Sequence, residues 1–268
     1  ASGTFLIDGE SVTVAKYCSF EGGTLQTTSG SFSTTDNKDN TNLYTGFNLN
    51  GGTLDIDGGT VSFGETSDKD ATLNVNGGTL EVSGGTLNVS DAIDVVTGTV
   101  TQTGGIINLR NYTGSDNRNQ DKLEMAAGTL NLTAGTMNIN GEGATTDYCS
   151  LDIESGVTVN ANANHTIVLM DNTSGASTEK RYIDMGGNNI GGITHNVSAK
   201  NLYFVGSHNI LGLLSILDGT LKADDASETI TVASISQASG GIINISDGEL
   251  ECSGKADIDG ELTISGGT

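Results

Sequence analysis

The sequence predicts an all-β fold, a single-stranded parallel β-helix with three short strands in each coil and about ten coils. The first observation is a seven-residue cassette, G-T-L-x-V/I-x-G, that recurs in phase, for example at 52–58, 78–84, 85–91, 128–134 and 260–266. The second is that its apolar residues stand two apart, as in Leu54/Ile56 and Leu80/Val82, which is the period of a strand. The third is that 39 glycines occur without a single proline, because proline would remove a hydrogen bond between coils.

Each cassette is expected to form one short strand followed by a bend. Glycine at one or both ends of the cassette costs a helix roughly 1 kcal/mol relative to alanine, and Thr, Asn and Asp fill the outer positions, so a helix is excluded. Alternation along the strand points the two apolar side chains inward and the polar side chains outward. The glycine after the strand can adopt a positive φ and turn the chain.

The spacing of the glycines defines the coil. Glycines 52, 78, 98 and 128 each have a partner seven residues later, so two strands form a fixed pair. A third strand precedes several pairs, and the shortest coil is therefore about 20 residues long. Longer coils have their extra residues mainly after the second strand of the pair, around 34–42, 64–70, 110–121, 141–148 and 222–228. We expect these variable loops to stack at one corner and name them the loop ridge.

The whole chain, residues 1–268, is expected to be one β-helix domain. A solenoid grows by adding coils, so its length requires no second core, and about ten coils give a rod on the order of 50 Å long. Residues 157–211 are less regular, with strand-like runs at 165–170 and 201–205, and we interpret them as decorated coils. Thr27, Thr34 and Gln102 are polar residues at inward positions, where fraying or an internal hydrogen bond is expected.

Charge and cysteine content restrict the partners. The chain has 33 acidic and 11 basic residues, a net charge of −22, and its basic residues stand singly, so nucleic acid is not an expected partner. It contains no run of 18 apolar residues that could insert into a membrane. Such acidity is typical of an extracellular or salty setting. Cys18, Cys149 and Cys252 are too few for a disulfide framework, and Cys252 occupies an inward position where a small buried hydrophobic residue is expected.

Candidate catalytic or metal-binding groups are scarce. Acidic pairs occur at Asp224/Asp225, Asp36/Asp39 and Asp68/Asp70 in the loop ridge, where Asp is also common simply because it favours turns. His165, His195 and His208 are 13 to 30 residues apart, and surface or structural roles are favoured over a metal site. The sequence therefore predicts no catalytic residue, no cofactor and no dedicated metal site, although incidental calcium on the acidic loops is compatible with it.

Threonine follows the corner glycine at 24, 53, 60, 79, 86, 99, 129, 136 and 220, which predicts threonine ladders on the outer faces. A flat threonine array is also a feature of ice-binding solenoids. Those need Thr-x-Thr on one face, and in these cassettes only residues 99–101 have it. Ordinary stacking of Thr and Asn between strands is the favoured interpretation.

The segments GTLDIDGGTVSF, GTLEVSGGTLNVSD and GTLNLTAGTMNI resemble the Gly- and Thr-rich parallel β-helix regions of bacterial secreted and surface proteins, such as adhesins and autotransporter passenger domains. The resemblance covers nearly the whole chain. It implies an extracellular protein with a right-handed coil, and it assigns no site residues, because its motifs are architectural.

These observations favour a non-enzymatic structural protein, secreted or on the cell surface, that serves as a stalk, an adhesin or a filament subunit. Residues 2–9 already look like a cassette and the chain ends within a repeat at Thr268, so neither end shows a capping element. The end coils are therefore expected to stack head to tail on another copy or on neighbouring solenoid segments. The alternative is a polysaccharide-binding or polysaccharide-cleaving β-helix that uses the loop ridge, with surface glycans as its ligands.

Overall fold

The computed structural model describes residues 3–14, 18–34, 45–64, 71–110, 122–141, 148–171 and 180–268. The described residues contain 25 β-strands and no helix. Every strand pairs in parallel with the equivalent strand of a neighbouring coil, and together the strands wind into a parallel β-helix. The predicted fold class is confirmed.

The strands form three faces, called sheets A, B and C. Sheet A contains β1 (Thr4–Ile7), β4 (Thr24–Thr27), β7 (Thr53–Ile56), β14 (Thr129–Leu132), β17 (Thr158–Ala161) and β23 (Glu249–Cys252). Sheet B contains β2 (Ser11–Val14), β5 (Ser31–Thr34), β8 (Thr60–Phe63), β10 (Thr86–Val89), β12 (Ile106–Arg110), β15 (Gly135–Gly141), β18 (His165–Asp171) and β24 (Ala256–Ile258). Sheet C contains β3 (Cys18–Phe20), β6 (Thr45–Leu49), β13 (Leu123–Met125), β16 (Tyr148–Ile153), β19 (Lys180–Asp184) and β25 (Glu261–Ile264).

Five longer strands bend around the corners between sheets. From sheet C into sheet A run β9 (Thr72–Val82) and β11 (Ile93–Gln102), and from sheet B into sheet C runs β20 (Gly192–Phe204). Two strands pass through all three sheets, β21 (His208–Ala223) and β22 (Thr229–Ile245). The strand-like run at 165–170 is thus confirmed as part of β18, and the run at 201–205 is confirmed as part of β20 up to Phe204.

The register of sheet A confirms the predicted threonine ladder. Seven successive coils place a threonine at the same outward position: Thr4, Thr24, Thr53, Thr79, Thr99, Thr129 and Thr158. Neighbouring members are 20 to 30 residues apart, and the shortest coils have the predicted length of about 20 residues. Sheet B passes through eleven coils within the described residues, close to the expected ten.

The core lies inside the three sheets and consists of stacked aliphatic side chains. On sheet A, for example, Leu54, Leu80 and Leu130 lie in one column and are fully buried. Removing such columns from water is the main driving force for the fold, at roughly 1.5–3 kcal/mol for each side chain. Thr27, Thr34 and Gln102 are buried as well, so none of the three marks a frayed coil.

Glycine is required where the chain turns between sheets A and B. Gly85 and Gly105 have φ of 60° and 62°, the left-handed region that other residues rarely adopt. A Cβ on Gly105 would lie 2.5 Å from the carbonyl oxygen of Gly84 in the coil below. The corner glycine therefore allows both the turn and the close stacking of one coil on the next.

The extra residues of the longer coils fall mainly at one corner, between a strand of sheet B and the next strand of sheet C. The segments 35–44, 65–70, 111–121 and 142–147 occupy this place in the chain and lie outside the described residues. The prediction for 222–228 is wrong. Those residues connect sheet C to sheet A, because β21 already continues through sheets A, B and C before it ends at Ala223.

Candidate functional site

Carboxylates form a column along the outer side of sheet C. Asp94, Glu124, Asp152 and Asp184 occupy the same outward position in four successive coils. Burial and the neighbouring Glu124 raise the pKa of Asp94. Lys122 contacts Glu124 and lies 3.9 Å from an oxygen of Asp152. Burial of the ammonium group lowers the pKa of Lys122, but the attraction of these two carboxylates is the larger effect, so the pKa is raised overall. The column is thus partly neutralised from within the protein.

The same sheet continues into a stack of aromatic and basic side chains. The rings of Tyr182 and Tyr203 are stacked with centroids 5.5 Å apart. Lys180 and Lys222 place their ammonium groups 5.5 Å and 6.0 Å from the centroid of the Tyr203 ring. This is the geometry of cation–π attraction, which holds both lysines against the protein.

The Cys149 thiol on sheet C is held in its protonated form. Cys149 pairs with Tyr182 in the next coil, and burial, followed by the charge of Asp152, raises the pKa of this thiol to about 12. A thiol that stays protonated is a poor nucleophile. Cys18, Cys149 and Cys252 are all free thiols. Cys252 lies at the predicted inward position, paired with Val232 of the preceding coil. It is only partly buried, because no described coil covers its other side.

The irregular coils contain buried cations that the sequence analysis missed. Arg181 is fully buried on sheet C and donates to the carbonyl oxygens of Met170 (2.7 Å) and Ile139 (3.5 Å), close to the ends of two strands of sheet B. It therefore ties sheets B and C together. Lys200 is fully buried too, and its carbonyl oxygen accepts a hydrogen bond of 3.4 Å from Nε2 of His195. Burial, with the nearby Arg181 charge, lowers the pKa of His195 to about 4.

A second buried polar group joins three coils at the corner between sheets A and B. Gln102 donates to the carbonyl oxygens of Gly105 and Thr136 at 3.3 Å and 3.0 Å, and its own Oε1 accepts from Nε2 of His165 at 2.9 Å. Burial lowers the pKa of His165 to about 4. The expected internal hydrogen bond of Gln102 is confirmed, and its role is to link corner backbone between coils.

The acidic pairs are not assembled into a catalytic arrangement in the described residues. Asp225 accepts hydrogen bonds from the backbone N–H and the hydroxyl of Ser227, as expected for an aspartate that stabilises a turn. Asp224 is exposed beside it. The neighbouring Glu228 is buried, and this burial, together with Asp224 and Asp225, raises its pKa to about 7. Asp36/Asp39 and Asp68/Asp70 lie outside the described residues.

The three histidines lie apart, each with its own partner. His165 bonds Gln102, His195 bonds the carbonyl oxygen of Lys200, and His208 bonds that of Val205 at 2.9 Å. Within the described ranges no group of three His, Cys, Asp or Glu side chains has a geometry that could hold a metal ion. The same ranges contain no helix long and apolar enough to cross a membrane.

Sheet B differs from the other two in that its first two outward columns carry no charge over ten coils, whereas its third outward column has Arg110 and Asp218 at its register positions. Its first outward column includes Ser11, Ser31, Thr60, Thr86, Thr136 and Thr166, and its second includes Thr13, Ser33, Ser62, Asn88, Asn108 and Asn138. The amides are linked from coil to coil: Asn138 donates to Asn108 and Asn108 to Asn88, both at 2.8 Å, and Asn88 donates to Ser62 at 3.2 Å. The sequence showed these residue types, but only the register places them on one face.

Apolar side chains are exposed on the first and last coils. Phe5 is 52% exposed, and Leu262 and Ile264 are 48% and 56% exposed. All three belong to inward columns, because they pair with Leu25, Ile243 and Ile245 in the neighbouring coils. Each is a core residue covered on one side only by the described residues.

No protein-family model, curated protein or solved structure matches this chain. The fold itself defines the class of protein, a parallel β-solenoid built from sequence repeats.

Proposed function

We propose that the chain is a non-enzymatic structural protein of the cell exterior, a β-solenoid stalk, adhesin or filament subunit of the adhesin and autotransporter-passenger type. The observation that carries the proposal is the regular stack of coils, in which equal strand positions pair from coil to coil through the described residues. A further coil on Phe5 or on Ile264 would continue the inward columns and pair the open strand edges. A neighbouring solenoid segment or a second copy added head to tail would supply such a coil, and repeated addition of copies gives a filament.

The shapes of the two end coils support stacking. The register from Thr4 to Thr24 makes the first coil 20 residues long, and the register from Ile230 to Leu250 gives the same length for the coil on which the last coil stacks. Equal coil lengths give cross-sections of similar size. Covering half-exposed Phe, Leu and Ile side chains contributes on the order of 1 kcal/mol each, to which the backbone hydrogen bonds of three strand edges are added.

The chemistry of the outer faces supports a non-enzymatic role. Asp225 is engaged in a turn, the Cys149 thiol stays protonated, and His165 and His195 are buried in the core. A nucleophile and a base within hydrogen-bonding distance are required for covalent catalysis. The exposed hydroxyl–carboxylate contacts in the described residues, such as Ser227 with Asp225, stabilise turns, and the three histidines bond other partners.

Sedimentation velocity across a range of protein concentrations tests the stacking. We expect the wild-type protein to form larger species with rising concentration, more strongly at high salt, because salt screens the repulsion between chains of charge −22. Ile264→Lys should remain a monomer. Val96→Lys is the matched control, since Val96 is 55% exposed but lies on β11, which has coils on both sides. A monomeric wild type, or equal behaviour of the two variants, contradicts head-to-tail stacking.

A further inference from the structure

The first two outward columns of sheet B form a neutral strip although the chain is strongly acidic. From Ser11 to Ser236, the first two outward columns of this face consist of Ser, Thr, Asn and a few apolar residues, and the charged positions Arg110 and Asp218 lie in the third column, towards the corner with sheet C. Sheet A carries Asp55 and Glu81 outward, and sheet C carries its column of four carboxylates. With a net charge of −22, a neutral strip along ten coils sets this face apart from the others.

The composition of this face disfavours several classes of partner. Nucleic acid requires clustered Lys and Arg. A membrane surface requires a continuous apolar or basic face. Protein interfaces are enriched in aromatic residues and Arg and depleted of Ser, whereas this face is rich in Ser and presents Ile106, Leu213 and Leu217 as its exposed large apolar residues. The class of partner that this composition favours is a neutral molecule with many hydroxyl groups.

The polar groups on this face are held in fixed positions. Each amide in the run from Ser62 through Asn88 and Asn108 to Asn138 is oriented by the next coil, so little rotamer entropy is lost when a ligand binds. Hydroxyl and amide groups both donate and accept, as the hydroxyls of a sugar do. Neighbouring rungs are ~4.8 Å apart, and ten coils give a strip roughly 45 Å long.

A buried acceptor lies beside this run. Asn140 follows Asn138 on the same outward side of β15 and is buried, yet its Oδ1 accepts no hydrogen bond from the described residues. A buried amide oxygen without a donor is unfavourable. A ligand hydroxyl at this end of the amide run would satisfy it.

We propose that the outer face of sheet B binds a neutral, extended polysaccharide. The amide and hydroxyl columns bond the sugar hydroxyls, and Ile106, Leu213 and Leu217 contact the apolar C–H faces of the sugar rings. Individual contacts are weak, and affinity comes from repetition along the strip. This face is distinct from the loop ridge and from the end coils, so the proposal does not depend on head-to-tail stacking.

Depletion assays test it with microcrystalline cellulose, chitin and insoluble β-1,3-glucan as neutral probes, and polygalacturonate and alginate as acidic ones. We expect the protein to bind at least one neutral polymer, equally in low and high salt, and neither acidic polymer. Thr86→Glu combined with Thr136→Glu places two charges on sheet B and should weaken binding about tenfold or more. Thr79→Glu combined with Thr129→Glu makes the same change on sheet A in the same two coils and should leave binding unchanged.

Thermal unfolding of both double variants shows whether each is folded before its binding is compared. Absence of binding to all three neutral polymers overturns the proposal, as does equal loss of binding in the two folded double variants. Binding to the acidic polymers alone also overturns it. A dimer in sedimentation velocity that the sheet B charges abolish, without any polysaccharide binding, would assign this face to a second copy of the chain.

Discussion

The close stacking of coils at the corner glycines makes a quantitative prediction about alanine substitution. In Gly105→Ala the new Cβ would lie 2.5–2.8 Å from backbone atoms of Gly84 and Gly85, at a φ of 62°. The left-handed conformation costs alanine about 1 kcal/mol, and displacing backbone that is fixed by the coil below adds about 1–3 kcal/mol. We therefore expect Gly105→Ala to lower the free energy of unfolding by about 2–4 kcal/mol.

Two other glycines separate these contributions. Gly187 has a φ of 80° but no atom within 4 Å of its added Cβ, so Gly187→Ala should cost about 1 kcal/mol. Gly22 has open space and no positive φ, so Gly22→Ala should be neutral or stabilise by about 0.4–1 kcal/mol. Urea unfolding followed by circular dichroism measures all three. If Gly105→Ala costs no more than Gly187→Ala, the coils do not stack as closely as described.

Three further predictions concern buried polar groups. Gln102→Leu removes the amide that bonds Gly105, Thr136 and His165, and urea unfolding should show a loss of about 2–4 kcal/mol, whereas Gln26→Leu on the exterior should cost less than 1. His165 and His195 have a pKa of about 4 in the folded protein and about 6.5 in the unfolded chain. The free energy of unfolding should therefore fall by roughly 3 kcal/mol for each histidine as the pH drops from 6.5 to 4. The variant His195→Asn should reduce this pH dependence. Glu228, whose pKa is raised to about 7, has the opposite effect, because its ionisation lowers the free energy of unfolding as the pH rises from 4.5 through 7. Glu228→Gln should therefore raise the melting temperature at pH 8 and leave it nearly unchanged at pH 4.

The regular coils could be predicted from the sequence because local pattern and tertiary structure agree there. The period of two in residues such as Leu54/Ile56 identifies strands, and the glycine pairs identify corners. Once coils are aligned by their glycines, the stacking of equal positions follows, as the seven threonines of sheet A show.

The irregular coils could not be predicted in the same way. Arg181 alternates with Ile183 and therefore points inward, but polarity alone suggests a surface residue. Its burial depends on the carbonyl oxygens of Met170 and Ile139, which come from two strands of sheet B, β18 and β15. Likewise, the place of 222–228 depends on β21 passing through three sheets without a corner glycine pair to mark each turn.

Candidate sites were harder to predict than the fold, because a site on a solenoid is formed by residues of different coils that share a face. Asp224 and Asp225 were candidate site residues because two acidic side chains are adjacent in the sequence. In the structure, however, Asp225 stabilises a turn. The neutral strip of sheet B was overlooked, since no single cassette reveals it. It emerges only when Ser31, Thr60 and Thr86 are found in one column.

The central proposal is that a further coil covers the end coils, in a second copy of the chain or in a neighbouring solenoid segment. Negative-stain electron microscopy across a range of protein concentrations, with and without calcium, tests it most directly. The account predicts filaments of constant width that lengthen with concentration and are lost in Ile264→Lys. Discrete rods on the order of 50 Å long at every concentration would contradict the stacking of copies.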